Sequence, residues 1–218
     1  KITSRALTAE EVAEEAAKYN GSEPVDPEPV KLPFVDVSED DWFYEGVYYN
    51  YVNKIVEGKD PTHFAPYENL ARAQFAVILH RIAGKTEAAG DASFPDVPAG
   101  QWYTDAVLWA AGKDVGVITG YTDSGLFGTA DNITREQMAV MMYRYAKFKG
   151  YEINEKMSFE KFADADLVSA FAKEAMQWAV GTGIITGKDN GTRLDPQGNT
   201  SRAECVIMIQ RFMEKCVK

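Results

Sequence analysis

Apolar residues recur along this chain at helical spacing, in short blocks that come in pairs. Between 94 and 149, Tyr103, Val107, Ala110 and Ala111 mark one face of a first helix, expected over about 102 to 115. Gly116 and Gly120 punctuate its exit. A second helix starts at Thr134-Arg135-Glu136-Gln137, a capping box of the Thr-x-x-Gln type. Met138, Met141, Met142, Tyr145 and Phe148 then give it a broad apolar face. Near the C-terminus, Ser201-Arg202-Ala203-Glu204 opens an equivalent helix carrying Cys205, Met208, Ile209 and Phe212. An earlier block has Phe75, Ile78, Leu79 and Ile82, but Ala71 stands where the cap belongs. A cap hydroxyl is worth ~1 kcal/mol, and Asn69 is expected to substitute from two residues upstream.

The paired blocks belong to a pattern that occurs three times. Each copy opens with Phe-x-Asp: Phe34/Asp36, Phe94/Asp96, Phe162/Asp164. Copies 1 and 2 continue with Trp42-Phe43 and Trp102-Tyr103; copy 3 has no such pair. A helical aromatic follows (Tyr49, Trp109, Trp178), then two apolar residues, any residue, and glycine: Ile55 to Gly58, Val117 to Gly120, Ile184 to Gly187. A polar loop leads to Phe64, Phe127 or Leu194. Eight positions on stand Arg72, Arg135 and Arg202, and nine further Arg81, Arg144 and Arg211. A two-helix unit cannot bury its apolar face alone, whereas three units can do so around one axis.

The expected fold is therefore all-α: three helix-loop-helix repeats in a pseudo-threefold, three-pronged bundle with the long second helices central. The alternative, a linear solenoid, would leave two apolar ends exposed. Expected boundaries are 34–90, 91–152 and 153–218. Residues 1–33 read as a capped helix (Thr8 to Glu11 as the box, helix over about 9 to 19) followed by a connector with Pro24, Pro27, Pro29 and Pro33.

Composition narrows the function. With 45% hydrophobic and 12% aromatic residues in 218, the chain folds around a sizeable core. A net charge of -10 argues against a nucleic-acid partner. No apolar run reaches the ~18–20 residues of a membrane span. No signal peptide is recognisable, and the chain begins at Lys1 rather than Met, as a mature or excised fragment does. The two cysteines, Cys205 and Cys216, fall in one helix, ~16 Å apart along its axis, too far to bond.

Arg72, Arg135 and Arg202 each fall in a first helical turn, where a cation opposes the helix dipole. Two readings stand open. A guanidinium beside free N-terminal amides makes a seat for carboxylate or phosphate. Alternatively, each arginine pairs with a Phe-x-Asp aspartate. The second set (Arg81, Arg144, Arg211) lies on the opposite face of the same helix, which suggests solvated or inter-repeat pairing. Trp42 and Trp102 suit sugar stacking or core filling; Tyr49, Trp109 and Trp178 suit the core. His63 and His80 have no repeated or metal-spaced partner, and no catalytic or phosphate-binding fingerprint occurs, so neither an enzyme nor a cofactor or metal site is expected. The Asp189-Asn190-Gly191 loop lacks the alternating ligands of a calcium loop.

The triplication, the Phe-x-Asp-Val opening, the Trp-Tyr pair, the Thr-Gly exit and Ile133-Thr134-Arg135-Glu136 together resemble three S-layer homology modules, over about 34 to 218. The resemblance implies a non-catalytic, extracellular anchor: a single-chain pseudo-trimer that holds its protein on the cell wall. It would bind a polysaccharide attached to peptidoglycan, often pyruvylated, in grooves between prongs. It also implies Arg72, Arg135 and Arg202 as anion contacts, with Asp36, Asp96, Asp164, Trp42 and Trp102 as groove walls. Copy 3 lacks the Trp, so its groove is expected to be degenerate. The alternative is a self-assembly module in which the arginines only join repeats.

Overall fold

A computed structural model describes residues 30–87 and 93–217. The helix expected over 9 to 19 and its connector up to residue 29 lie outside the described residues. The chain divides into Lys1–Lys31 and Leu32–Lys218, and the second unit carries the repeats.

Six α-helices occur among the described residues, with no strand longer than an isolated bridge. The short helices are α1 (Tyr44–Val52), α3 (Thr104–Ala111) and α5 (Lys173–Gly181); the long ones are α2 (Arg72–Ile82), α4 (Arg135–Lys149) and α6 (Arg202–Cys216). Two 3₁₀ turns, Ala165–Leu167 and Ala170–Ala172, replace the missing aromatic pair ahead of α5.

The short helices pack chiefly on long helices of other repeats. α3 lies on α2, α5 on α4, and α1 on α6, so each repeat lends its short helix to the preceding one and the exchange closes. A ring of backbone hydrogen bonds marks the centre. Leu70 N–H donates to Thr200 at 2.9 Å, Thr200 to Ile133 at 2.9 Å, and Ile133 to Leu70 at 2.8 Å. All three residues are buried. Every repeat satisfies the next, which a linear stack could not do, so the closed bundle holds and the solenoid does not.

Local chemistry sets the helix ends. Thr134 and Ser201 accept the N–H of Gln137 and Glu204 at 3.2 Å each, and those side chains reach back to the cap N–H. In α2 Ala71 has no oxygen to offer, and only the return bond survives, from Ala71 N–H to Gln74 at 2.9 Å. Asn69 forms a bridge to Ser201 and does not cap α2. Helix α3 runs over 104–111 and not 102–115, because Trp102 and Tyr103 lie in the entry turn and Gly112 leaves the helical region at φ -53, ψ 143. The chain then folds under the helix end: Val117 and Ile118 N–H both donate to Ala110 O, at 2.9 and 3.0 Å. Ile55 and Val56 do the same on Asn50 O.

The repeated glycine has a steric cause. A Cβ on Gly120 would sit 2.8 Å from the Phe94 ring, and one on Gly187 2.9 Å from Phe162. Phe34 lies against Gly58 in the same way. The Phe of Phe-x-Asp therefore rests directly on the turn that ends the short helix.

Aromatic rings of different repeats meet in the core, Tyr145 with Phe212 at 6.0 Å and Tyr143 with Trp178 at 5.4 Å, and rings of one repeat join them, Trp178 with Phe212 at 6.3 Å and Trp109 with Tyr145 at 6.5 Å. Burying one such side chain contributes ~1.5–3 kcal/mol, against ~0–1 for an exposed pair such as Lys156–Glu174. Cys205 lies inside this core and burial pushes its thiol up to about 12, so it is an inert packing residue.

Where α1 crosses α6, Gly46 lets the backbones approach: an added Cβ would fall 2.8 Å from Ile207 Cδ1 and 3.2 Å from its backbone nitrogen. Buried Asn50 locks the crossing by donating to Gly46 O and to Val206 O. Gly46→Val is expected to cost ~1–3 kcal/mol through overpacking. Urea denaturation checks this; an unchanged midpoint would mean the crossing is looser than described.

Candidate functional site

Each first-set arginine is buried, at 6% exposure for Arg72, 3% for Arg135 and 7% for Arg202. Each donates from Nε to the carbonyl of the apolar loop residue in the next repeat: Arg72 to Phe127 at 3.0 Å, Arg135 to Leu194 at 2.8 Å, Arg202 to Phe64 at 2.8 Å. Arg72 and Arg202 add a bond to Thr119 O and Glu57 O, and Arg135 pairs with Glu204 at 3.1 Å.

The Phe-x-Asp carboxylates hold the same loop residues from the other side. Asp36 accepts from Phe64 and Ala65 N–H, Asp96 from Phe127, Gly128 and Thr129, and Asp164 from Leu194 and Asp195. Thus Arg takes the C=O and Asp the N–H of one residue. In place of the direct arginine–aspartate pairing, one of the two readings left open, the two side chains are linked through backbone. Asp36, Asp96 and Asp164 thus clamp the loops, and neither Asp96 nor Asp164 is among the residues lining the two grooves described below.

The first helix amides are not free to take part in an anion seat. The first two amides of each long helix donate to loop carbonyls of the next repeat: Arg72 and Ala73 to Asp131 and Thr129, Arg135 and Glu136 to Gly198 and Pro196, Arg202 and Ala203 to Glu68 and Pro66. This explains why a cation is tolerated at a positive helix end: the guanidinium sits among carbonyl oxygens. Burial pulls the three guanidinium pKa values down, and nearby carboxylates oppose that (Glu204 for Arg135, Asp131 and Asp96 for Arg72).

What remains open lies on the other side of each guanidinium. Two grooves run between repeats. One, of about 520 Å³, is lined by Arg72, Thr119, Tyr121, Gln137, Arg144 and Phe171, among others. The other, of about 470 Å³, is lined by Arg135, Thr186, Lys188, Glu204, Arg211 and Trp42, among others. Each combines a first-set arginine of one repeat with a second-set arginine of the next. The two sets do lie on opposite faces of one helix; they converge because neighbouring helices contribute one each. Arg144 and Arg211 are half-buried and held only weakly, by Thr119 Oγ1 at 3.4 Å and Thr186 Oγ1 at 3.2 Å, with Ile184 O 3.4 Å from Arg211.

Trp42 and Trp102 are 59% and 65% exposed, so neither fills the core. Trp42 borders the Arg135 groove. Trp102 precedes α3, which packs on α2. In copy 3 Phe171, 63% exposed, borders the Arg72 groove, so an aromatic is present despite the missing Trp. Trp109 and Trp178 are core, and Tyr49 is half-buried beside it. Sequence reasoning missed Glu136. It stands where the other copies have alanine, is 4% exposed, and accepts Ser169 N–H and Oγ–H at 2.9 and 2.7 Å, fixing the rebuilt copy 3 entry. Its departure from the pattern was the available signal.

Asp96 makes acid stability testable. Burial raises its pKa, but the N–H groups of Phe127, Gly128 and Thr129 outweigh this and leave it lowered. A carboxyl lowered by folding contributes stability above its unfolded pKa of ~4, and that contribution is lost as pH falls through the folded value. Asp96→Asn is expected to cost ~1–3 kcal/mol at neutral pH and to flatten the acid limb of the stability–pH curve. An unchanged limb would place the acid sensitivity elsewhere.

No group of three or more candidate metal ligands occurs, and no helix is long and apolar enough to cross a membrane, among the described residues.

The family profile described as the S-layer homology domain matches residues 33–76, 93–139 and 161–205. Similar proteins include an endoglucanase of Bacillus sp. (strain KSM-635), 30% identical over 84% of this chain and 19% of the relative. The surface-layer 125 kDa protein of Lysinibacillus sphaericus is 30% identical over 73% of this chain and 13% of its own length. The cellulosome-anchoring protein of Acetivibrio thermocellus is 30% identical over 70% and 34%. The chain thus spans only about a third or less of each of these relatives. Domains of this kind anchor surface proteins to the cell wall, which places the chain at the cell surface or wall.

Proposed function

The chain belongs to the S-layer homology domain family, and from that premise we propose that it is a non-catalytic anchor that binds an anionic, pyruvylated wall polymer in its inter-repeat grooves. The observation that carries this reading is the convergence of two arginines from different repeats on one open groove, twice, each time beside an exposed aromatic. A ketal-linked pyruvate presents a carboxylate on a sugar ring. The guanidinium takes the carboxylate, and Trp42 or Phe171 takes the apolar face of the ring. The first-set arginines serve mainly to fix the groove; Arg144 and Arg211 are the more available donors.

The test is co-sedimentation with peptidoglycan sacculi before and after acid extraction of the attached polymer. The domain is expected to pellet with polymer-bearing sacculi and to stay in solution with stripped ones. Equal pelleting with both would transfer the reading to peptidoglycan itself. No pelleting with either would favour the self-assembly module.

A further inference from the structure

The cyclic arrangement creates a third junction, between repeats 3 and 1, with Arg202 and Arg81 in the places of Arg72/Arg144 and Arg135/Arg211. One residue sets it apart. Where the other junctions have Thr119 and Thr186, this one has Glu57. The Arg81 guanidinium donates to the Glu57 carboxylate at 2.7 Å and to Ile55 O at 3.3 Å. Arg202 Nη2 is held by Glu57 O at 2.8 Å, closer than the 3.4 Å from Arg72 Nη2 to Thr119 O.

We propose that Glu57 is a selectivity residue that closes the third junction to anionic sugars, leaving two of the three grooves to bind. The proposal rests on the polymer-binding reading above. Its physical basis is competition. At the threonine junctions a neutral hydroxyl holds the second arginine through a long bond, and the cationic charge faces the groove. At the third junction a carboxylate already neutralises that charge. The side chain of Glu57 is 73% exposed and that of Arg81 only 20%. An incoming carboxylate therefore meets a like charge before it reaches the guanidinium. The expectation drawn from the missing Trp pointed to copy 3 as the degenerate groove. Phe171 borders a groove in place of copy 3's missing Trp, and the closure is proposed at the junction with Glu57 instead.

The experiment follows the side-chain Nε–H signals of Arg81, Arg144 and Arg211 by NMR. The probe is the methyl glycoside of a pyruvate-ketal N-acetylhexosamine, titrated into the native chain, Glu57→Thr and Glu57→Gln. In the native chain Arg144 and Arg211 are expected to shift saturably, with Arg81 at least about tenfold weaker. In E57T Arg81 joins them with a midpoint within about tenfold of theirs. E57Q, which keeps the shape and removes the charge, gives a smaller gain. The Arg144 response within each sample reports that the variant is folded. Arg81 titrating alongside Arg144 in the native chain overturns the proposal. So does an Arg81 that stays silent in both variants while Arg144 responds. Silence of all three arginines in every chain removes the polymer-binding reading, and the role of Glu57 falls with it.

Discussion

Arg135→Ala lowers the stability of the domain by about 3–5 kcal/mol, a large fraction of the ~5–15 kcal/mol typical of a folded domain. The guanidinium is 3% exposed and spans two acceptors of the next repeat, Leu194 O at 2.8 Å and Glu204 at 3.1 Å. Truncation leaves the buried Leu194 carbonyl without its side-chain donor and removes one partner from Glu204, whose side chain is 17% exposed. Lys188, 3.1 Å from the same carboxylate, keeps the loss toward the lower end. Arg135→Lys recovers only part of it, because an ammonium lacks the fork that reaches both acceptors. Urea denaturation checks the claim through a fall in midpoint at unchanged m value. A loss below about 1 kcal/mol would mean that Arg135 is not a structural strut. This result also governs how binding is tested. Alanine at Arg72, Arg135 or Arg202 would lower stability and disturb the groove together, so a loss of binding would not separate the two.

The double variant Arg144→Gln/Arg211→Gln is the informative one. Both side chains are half-buried in the grooves and make only the long bonds described above. Glutamine keeps a donor near Thr119 and Thr186 and removes the charge. Stability is expected to change by about 0.5 kcal/mol or less. Binding to polymer-bearing sacculi is expected to weaken at least about tenfold, since a charge-assisted bond to a carboxylate is worth ~1.5–3 kcal/mol. Folded protein with native binding would show that the second-set arginines are bystanders.

Much of the architecture is written in local pattern. The capping boxes at Thr134 and Ser201, the apolar faces of α4 and α6, and the triplication itself follow from short-range spacing. What pattern does not carry is which helix packs on which. The exchange of α1, α3 and α5 between repeats depends on contacts far apart in sequence. The fate of the arginines was hidden for a related reason. Their acceptors are backbone carbonyls of Phe64, Phe127 and Leu194, and any residue type supplies a carbonyl. The loop residues were visible as a repeated apolar position, but not as the peptides that Arg and Asp share. The place of Arg144 and Arg211 is not legible from one helix either, because the groove each enters is shared with the neighbouring repeat. Phe171 is not legible in the repeat pattern because two 3₁₀ turns rebuild the entry of copy 3 and break the register that Trp42 and Trp102 share.

The central claim is that an anionic sugar sits between two arginines of neighbouring repeats. A crystal structure of the domain with an oligosaccharide released from pyruvylated wall polymer tests it most directly. The account predicts a carboxylate about 3 Å from the guanidinium of Arg144 or Arg211, with the sugar ring against Phe171 or Trp42. A sugar bound away from both grooves, or a carboxylate turned to solvent, would contradict it.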